Sequence, residues 1–251
     1  MKISYSITVC NEFLEIQKLV AFLLKNKRPQ DEIVILYDQN NGDERIAEYL
    51  TTKNKLPNVQ FWRGFFEGHF ADWKNKLTEY CSGDYIFQID ADEIPHESLI
   101  ANLPYILESN PDNEVYLVAR INTVSNLGLS HVQKWGWNIS KFDSMVEEKE
   151  FDLDNPQDLD EYNLLKQNDL IIEESIIGKV KVKYNTPIVN WCDYQWRIWK
   201  NKPEIKWKNK VHEVLEGFKT YTPLPDIEGA SLYHPKDIKR QEKQNAYYDT
   251  L

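Results

Sequence analysis

The sequence predicts an α/β fold in which a mostly parallel sheet carries helices on both faces. Segments with apolar residues at every second position alternate with segments in which they recur at helical spacing. Three successive predicted strands also end in polar or acidic residues. Alternation of this kind joins parallel strands by right-handed crossovers, and open α/β sheets bind ligands at the carboxyl ends of their strands. The same observations therefore predict a ligand site at that edge.

The elements of this fold are predicted in order along the first half of the chain. Apolar residues alternate through residues 2–10, which predicts the first strand, and Asn11 is suited to cap the helix that follows. The remaining predicted strands are residues 32–37, 59–62, 85–89 and 115–122, and the remaining predicted helices are residues 44–52, 70–80 and 97–108.

The strand at residues 85–89 ends in three acidic residues: Asp90, Asp92 and Glu93. The pattern Asp-x-Asp alone is weak evidence, because it recurs at residues 152–154 and 158–160. No strand is predicted before those two copies, so we interpret them as solvated charge. Carboxylates at a sheet edge can hold a divalent cation against a phosphate. The buried strand before it therefore distinguishes the first copy.

Composition narrows the class of protein. The chain has 251 residues, of which 41% are hydrophobic, and it has no apolar run long enough to span a membrane. Its three cysteines are far apart and lack zinc-type spacing, which favours a reducing compartment. We therefore expect a soluble, cytoplasmic protein. No G-x-G-x-x-G follows the first strand and no Walker sequence occurs, so neither a dinucleotide fold nor a P-loop is supported.

Charge is distributed unevenly. The net charge of −10 argues against binding nucleic acid, but residues 143–175, the acidic segment, hold twelve acidic residues against two lysines. The remainder is close to neutral, and residues 196–219 carry seven basic residues against three acidic ones. We expect the acidic segment to be an insertion or flap.

Aromatic residues become frequent in the second half, where six of the eight Trp lie beyond residue 130. Such rings stack on sugars or bases, although core packing explains most of them. The loop at residues 135–137, Trp-Gly-Trp, is the strongest candidate for a ligand contact.

Eight segments form a recognisable set. In the first half they are residues 8–12 (TVCNE), 31–38 (DEIVILYD), 74–75 (KN) ahead of 83–85 (GDY), and 89–93 (IDADE); in the second half they are residues 193–199 (DYQWRIW), 210–213 (KVHE) and 233–236 (YHPK). Together they resemble family 2 glycosyltransferases of the GT-A fold. The resemblance covers most of residues 3–125 and then 190–245, and it leaves the acidic segment unexplained.

The resemblance implies one GT-A domain over residues 1–251. Residues 1–125 would form its nucleotide-sugar-binding half, and residues 126–251 its acceptor-side half. The implied reaction is a metal-dependent, inverting transfer of a sugar from a nucleoside diphosphate sugar, with a UDP-sugar favoured, to an acceptor hydroxyl. Mn²⁺ or Mg²⁺ would neutralise charge on the departing diphosphate as a Lewis acid.

The resemblance also implies a metal site. Asp92 is the expected ligand, and Asp90 would contact the metal through water or contact the ribose. A later histidine often completes such a site, and His212 and His234 both qualify because imidazole is a good ligand for Mn²⁺. A lone histidine is more often structural, so the choice between them stays open.

Other residues are expected to contact the donor: Thr8, Asn11, Glu12, Asp38, Lys74, Asp90, Ala91 and Arg197. Asp38, with Glu12 beside it, is expected to contact the nucleobase or the ribose of the donor, and loop capping is the alternative for each. Lys74 or Arg197 could reach the diphosphate, and an ion pair within the protein is the alternative for both.

Two residues are candidates for the general base that takes the proton of the acceptor hydroxyl. The family order of an acid a few residues before an arginine fits Asp193 and Arg197. Glu213 competes because it follows His212. We favour Asp193.

Three other functions compete with this one. The basic residues between 200 and 210 leave open a phage-type transfer to hydroxymethylated DNA bases, against which the acidic segment counts. A carbohydrate-binding protein without catalysis could keep the same fold. Nucleotidyl transfer is disfavoured, because residues 11–14 (NEFL) stand where a Gly-rich basic loop is expected. The donor sugar, the acceptor and the oligomeric state are left open by the sequence.

Overall fold

The protein structure, a computed structural model, describes residues 1–177, 179–239 and 241–242. Residues 243–245, at the end of the predicted resemblance, lie outside this part. The chain forms two compact units: unit 1 comprises Met1–Ala119 and Tyr194–Leu232, and unit 2 comprises Arg120–Asp193 and the described residues from Tyr233 onward. A single domain divided near residue 125 stays a prediction. Within the described residues, no helix has the length and apolar character needed to cross a membrane.

Strands and helices alternate along the chain up to residue 125, apart from the two consecutive strands β4 and β5. These elements are β1 (Ile3–Val9), α1 (Phe13–Asn26), β2 (Glu32–Asp38), α2 (Glu44–Lys53), β3 (Val59–Gly64), α3 (Phe70–Glu79), β4 (Tyr85–Asp90), β5 (Ile94–Pro95), α4 (Glu97–Ser109) and β6 (Val115–Ser125). The later elements are α5 (Leu129–Trp135), β7 (Ile139–Ser140), β8 (Val146–Phe151), α6 (Pro156–Gln167), β9 (Ile171–Ile177), β10 (Lys179–Asn185), β11 (Ile188–Lys200), β12 (Lys206–Lys208), β13 (Val214–Glu216), β14 (Tyr221–Pro223), a short 3-10 helix (Glu228–Ala230) and β15 (Leu232–Asp237).

Unit 1 is organised around a sheet with the order β3-β2-β1-β4-β11. The first four strands are parallel, and the end of β11 pairs with β4 in the antiparallel direction. Every residue of β2 is buried, as expected for a central parallel strand covered on both faces. The predicted α/β fold with a mostly parallel sheet is confirmed.

One predicted helix start is wrong in its detail. The residue before α1 is Glu12, and no side chain caps this helix. Asn11 was expected to supply the cap. Glu12 instead folds back, and its Oε2 accepts hydrogen bonds from the backbone N–H groups of Cys10 and Asn11, both at 3.0 Å. A carboxylate therefore binds the turn between β1 and α1.

Two tryptophans of unit 1 belong to its core, as the packing alternative expected. Trp199 and Trp207 are buried and meet edge to face, with ring centroids 5.6 Å apart. Asn75 of α3 attaches the β12–β13 hairpin, because its side chain donates to the backbone O of Trp207 and accepts from its backbone N, both at 2.9 Å.

Unit 2 contains a three-stranded antiparallel sheet with the order β8-β10-β9. It has its own core, which includes Phe151, Tyr162, Leu165, Val182 and Tyr184. The expectation that no strand precedes residues 152–154 is wrong, because β8 ends at Phe151. The acidic segment is therefore a folded part of the unit, built on strands and on helix α6.

The charge of the acidic segment is partly balanced within this small sheet. Lysines of the central strand β10 pair across to glutamates of β8 and β9, with N–O distances of 3.6 Å in each case: Lys179 with Glu150, Lys181 with Glu148, and Lys183 with Glu173. All three lysines stand on β10, beyond residue 175, at which the acidic segment counted along the sequence ends. Counting charge along the chain therefore overstated the local imbalance.

The Trp-Gly-Trp loop of unit 2 ends a short helix. Trp135 is the last residue of α5, and Gly136 follows it in the left-handed conformation, with φ 64°. The rings of Trp135 and Trp137 pack on each other with centroids 4.6 Å apart. Contact of this loop with a ligand stays a prediction.

Candidate active site

The ends of three parallel strands meet at one edge of the unit 1 sheet. In the register of the sheet, Thr8 of β1 lies beside Asp90 of β4, and Val9 lies beside Tyr37 of β2. Asp38 and Asp90 therefore end the two strands that flank β1. The predicted convergence of strand ends is present in the fold.

Residues 90–93, which we call the acid loop, form a tight turn at the end of β4. The backbone N of Glu93 donates to the backbone O of Asp90 at 2.9 Å, and Glu93 Oε2 accepts from the backbone N of Asp90 at 3.1 Å. Glu93 is completely buried, whereas Asp92 is half-buried. The loop thus directs one carboxylate inward and leaves Asp92 nearer the surface.

Arg197 of β11 holds the acid loop from inside. Its Nη2 donates to Asp90 Oδ2 at 2.6 Å and to Glu93 Oε1 at 2.5 Å, and its side chain is 3% exposed. Burial alone lowers the pKa of Arg197, but the carboxylates of Asp90 and Glu93 raise it above its usual value. The guanidinium is therefore a permanent counter-charge for two of the three acids. This position agrees with the alternative of an ion pair within the protein.

Asp38 and Glu12 both bind the backbone of their own loops. Asp38 Oδ1 accepts from the backbone N of Asn40 at 3.1 Å and of Phe66 at 3.3 Å, and Asp38 is buried. Burial, together with Asp38, raises the pKa of the Cys10 thiol to about 11, so this cysteine is a thiol at neutral pH. Loop capping, the alternative for Asp38 and Glu12, thus describes their contacts. Contact of Asp38 and Glu12 with the nucleobase or the ribose stays a prediction.

Two residues that were assigned different roles are paired with each other. Lys74 Nζ lies 2.9 Å from Glu213 Oε1 and 4.5 Å from the centroid of the Trp207 ring. Their side chains are 14% and 16% exposed, respectively. The candidate for the diphosphate contact and one candidate base therefore form one ion pair. Nearby His212 is exposed and adopts a left-handed φ of 54°.

The favoured base, Asp193, belongs to a cluster of polar side chains in unit 2. Asp193 Oδ2 accepts from Arg120 Nε at 2.9 Å, from Arg120 Nη2 at 2.6 Å and from Asn122 Nδ2 at 2.9 Å. Asn122 Oδ1 in turn lies 2.7 Å from Nδ1 of the buried His234. The cluster thus joins the candidate base to one of the two candidate metal histidines.

Sequence reasoning missed Arg120 and Asn122. The available signal was their position: they are polar residues at alternate positions near the end of a strand that is otherwise mostly apolar. Side chains two apart on a strand face the same side, so the pair could have been recognised as one polar surface.

The described residues contain no cluster of three or more His, Cys, Asp and Glu side chains arranged to hold a metal ion. The carboxylates of the acid loop still fit Mg²⁺ or Mn²⁺ that is bound together with a substrate. Mg²⁺ is commonly held by one or two carboxylates, with the remaining ligands coming from water and from substrate phosphates. Asp92 fits that role, because Arg197 neutralises its neighbours Asp90 and Glu93.

Comparison with known families identifies the chain. The family model described as "Glycosyl transferase family 2" matches residues 4–157. The chain belongs to glycosyl transferase family 2. The predicted family is confirmed, and the predicted enzyme class, glycosyltransferase, is confirmed at the level of the family.

Similar solved structures include those of S. aureus TarS. A crystal structure of TarS residues 1–349 shares 19% identity over 49% of this chain and 36% of that chain, with a TM-score of 0.43. The same values describe its complex with UDP. The complex of TarS with UDP-GlcNAc shares 20% identity over 68% of this chain and 48% of that chain, with a TM-score of 0.44. The chain thus covers about a third to a half of these TarS chains.

Proposed function

We propose that this family 2 protein is a metal-dependent, inverting glycosyltransferase. It transfers a sugar from a nucleoside diphosphate sugar, with a UDP-sugar favoured, to a hydroxyl of a glycan or other surface molecule. The acid loop carries this proposal, because it lies at the end of β4 beside the end of β1. Nucleotide ligands of open α/β sheets bind at this edge.

Asp92 is the proposed protein ligand of the divalent cation, and His212 and His234 remain the candidates for a further ligand. The cation, when bound, supplies Lewis-acid stabilisation of charge that develops on the departing diphosphate. Asp90 is proposed to orient the donor from the same loop, since its carboxylate is already engaged by Arg197 at 2.6 Å.

Arg197 is proposed to position the acid loop. Its guanidinium neutralises Asp90 and Glu93, whose ionised carboxylates would otherwise repel each other and Asp92. A buried arginine with two carboxylate partners also fixes the loop in a single geometry. This role replaces the expected diphosphate contact, for which a side chain 3% exposed is poorly placed.

Asp193 is the proposed general base. Its carboxylate takes the proton of the acceptor hydroxyl while the hydroxyl oxygen bonds to the anomeric carbon and the bond to the diphosphate breaks on the opposite face of the sugar. Arg120 and Asn122 hold Asp193 in one orientation through three hydrogen bonds. Glu213 is the alternative base. Each carboxylate is paired with a cation, Glu213 with Lys74 and Asp193 with Arg120, so the preference for Asp193 rests on the family order of an acid a few residues before an arginine.

The test is a screen of nucleoside diphosphate sugars by thermal shift, with and without Mn²⁺, followed by hydrolysis of any stabilising donor. We expect one donor to raise the melting temperature in the presence of Mn²⁺ and to be hydrolysed slowly without an acceptor. Binding to a glycan without either effect would favour the non-catalytic alternative and contradict the proposal.

A further inference from the structure

A polar residue interrupts the apolar strand that leads into the acid loop. Gln88 lies in β4 between Phe87 and Ile89, which are both completely buried, and Gln88 itself is 1% exposed. Glutamine is seldom fully buried, because its amide then has to replace the hydrogen bonds that it makes with water. Its position in the interior of this strand therefore needs an explanation other than core packing.

The amide of Gln88 is bonded to the acid loop. Its Nε2 lies 3.3 Å from Asp90 Oδ1, two residues further along the strand. Side chains two apart on a strand face the same side, so Gln88 can reach Asp90 without any bend in the backbone. A carboxylate only accepts hydrogen bonds, so the NH₂ of the amide faces Asp90 and the amide oxygen is turned away from it.

Gln88 and Arg197 together hold both oxygens of the Asp90 carboxylate. The amide of Gln88 donates to Oδ1, and Arg197 Nη2 donates to Oδ2 at 2.6 Å. Both residues are placed by the sheet: Ile198 of β11 pairs with Phe87 of β4 in the antiparallel register, so Arg197 and Gln88 come next along the two strands. Two donors on neighbouring strands therefore fix the rotation of this carboxylate about its Cβ–Cγ bond.

Holding Asp90 in this way costs stability. Gln88 Oε1 and Arg197 Nε are buried, and neither atom has a hydrogen-bond partner among the described residues. A buried polar atom without a partner destabilises the fold, because it has given up its hydrogen bonds with water. An apolar side chain of similar size at position 88 would avoid this cost. Natural proteins depart from such rules mainly at functional sites, which points to a function for Gln88.

We propose that Gln88 is a positioning residue for donor binding, which holds the Asp90 carboxylate in the orientation that contacts the nucleoside diphosphate sugar. This inference rests on the proposed function, in which Asp90 orients the donor from the acid loop. Without the Gln88 amide, only Oδ2 of Asp90 stays bonded to Arg197, and the carboxylate can turn. The donor then has to restrict that motion when it binds, which weakens binding.

Gln88→Met tests the proposal, since methionine is unbranched like glutamine, has a similar volume and lacks the amide. Titration calorimetry of UDP with Mn²⁺ present measures the affinity, and urea denaturation without ligand measures the stability. We expect the dissociation constant for UDP to rise roughly 10-fold or more, as for other residues that orient a ligand-binding side chain. The midpoint of denaturation should be unchanged or higher, because the unpaired Oε1 is gone.

Gln60→Met is the matched control. Gln60 stands on β3, and its Nε2 donates to Glu32 Oε2 at 3.2 Å, so the same substitution removes the same kind of hydrogen bond. Glu32 begins β2, whereas the acid loop lies at the edge of the sheet where the parallel strands end. The control should therefore leave the dissociation constant for UDP unchanged.

The outcomes separate this inference from the proposed function. Unchanged UDP affinity in Gln88→Met, or an equal loss in Gln60→Met, would overturn the role of Gln88 and leave the proposed function in place. A lower midpoint of denaturation in Gln88→Met, or failure of this variant to fold, would also overturn that role, because Gln88 would then serve the fold. No UDP binding by the wild type with Mn²⁺ would instead contradict the proposed function, and this inference with it.

Discussion

Replacing Arg197 by methionine would leave two carboxylates inside the acid loop without their counter-charge. Arg197 is 3% exposed and Glu93 is completely buried, whereas the Asp90 side chain is 33% exposed and can be solvated. Removing one partner of a buried ion pair costs about 3–5 kcal/mol, mostly because the other charge stays buried. We therefore expect Arg197→Met to lower the free energy of unfolding by about that amount, mainly through Glu93.

Urea denaturation measures this loss, with the slope of the transition as a check on two-state behaviour. The double variant Arg197→Met/Glu93→Gln should recover much of it, since the uncompensated buried charge is gone. Lys202→Met is the control: Lys202 pairs with Glu114 at 2.5 Å but is 38% exposed, so its removal should cost far less. An Arg197→Met loss no larger than that of Lys202→Met would refute this reasoning.

Three further predictions concern the site and its surroundings. Asp92→Asn should reduce turnover about 10²-fold or more, because the cation loses its charged ligand, and chelation of the wild type followed by Mn²⁺ should abolish and restore activity. Asp193→Asn should lower kcat by roughly 10²–10⁴ at an unchanged KM for the donor, whereas Glu213→Gln should lower it less; the reverse order would make Glu213 the base. Burial raises the pKa of Glu32, but hydrogen bonds from Lys2 and two serines outweigh it, and the net pKa is lowered. Its stabilising contribution is therefore complete above about pH 4.5, the unfolded range for Glu, and is lost as pH falls through the folded pKa. The difference in free energy of unfolding between wild type and Glu32→Gln should shrink as the pH falls below about 4.5. A difference that stays constant with pH would contradict this prediction.

Local patterns predicted the parallel half of the fold well. The alternation of β1 and the apolar run of β4 are written in consecutive residues, and burial on both faces makes such strands easy to recognise. The acid loop could be predicted for the same reason, because its carboxylates directly follow a buried strand.

The partners of these residues could not be predicted, because they lie far away in sequence. Arg197 is 107 residues from Asp90, and His234 is 112 residues from Asn122. Both contacts depend on how late strands pair with early ones, which the periodicity of a single strand does not specify. The resemblance named Arg197 and His234 as site residues but could not supply the side chains they bind.

The acidic segment shows a different limit. Acidic residues in β8 and β9 made the strands look like solvated chain, since glutamates hold most of their exposed positions. The lysines that balance them stand on β10, the neighbouring strand. Charge counted along the chain misses pairing across a sheet.

The central claim is that the acid loop binds a nucleoside diphosphate through a divalent cation. Titration calorimetry of UDP with wild type and Asp92→Asn, each with Mn²⁺ and with a chelator, tests it most directly. We expect the wild type to bind UDP with Mn²⁺, and we expect a large loss of affinity both in Asp92→Asn and in the presence of the chelator. Equal UDP affinity in the wild type and in Asp92→Asn, or affinity that does not depend on Mn²⁺, would contradict it.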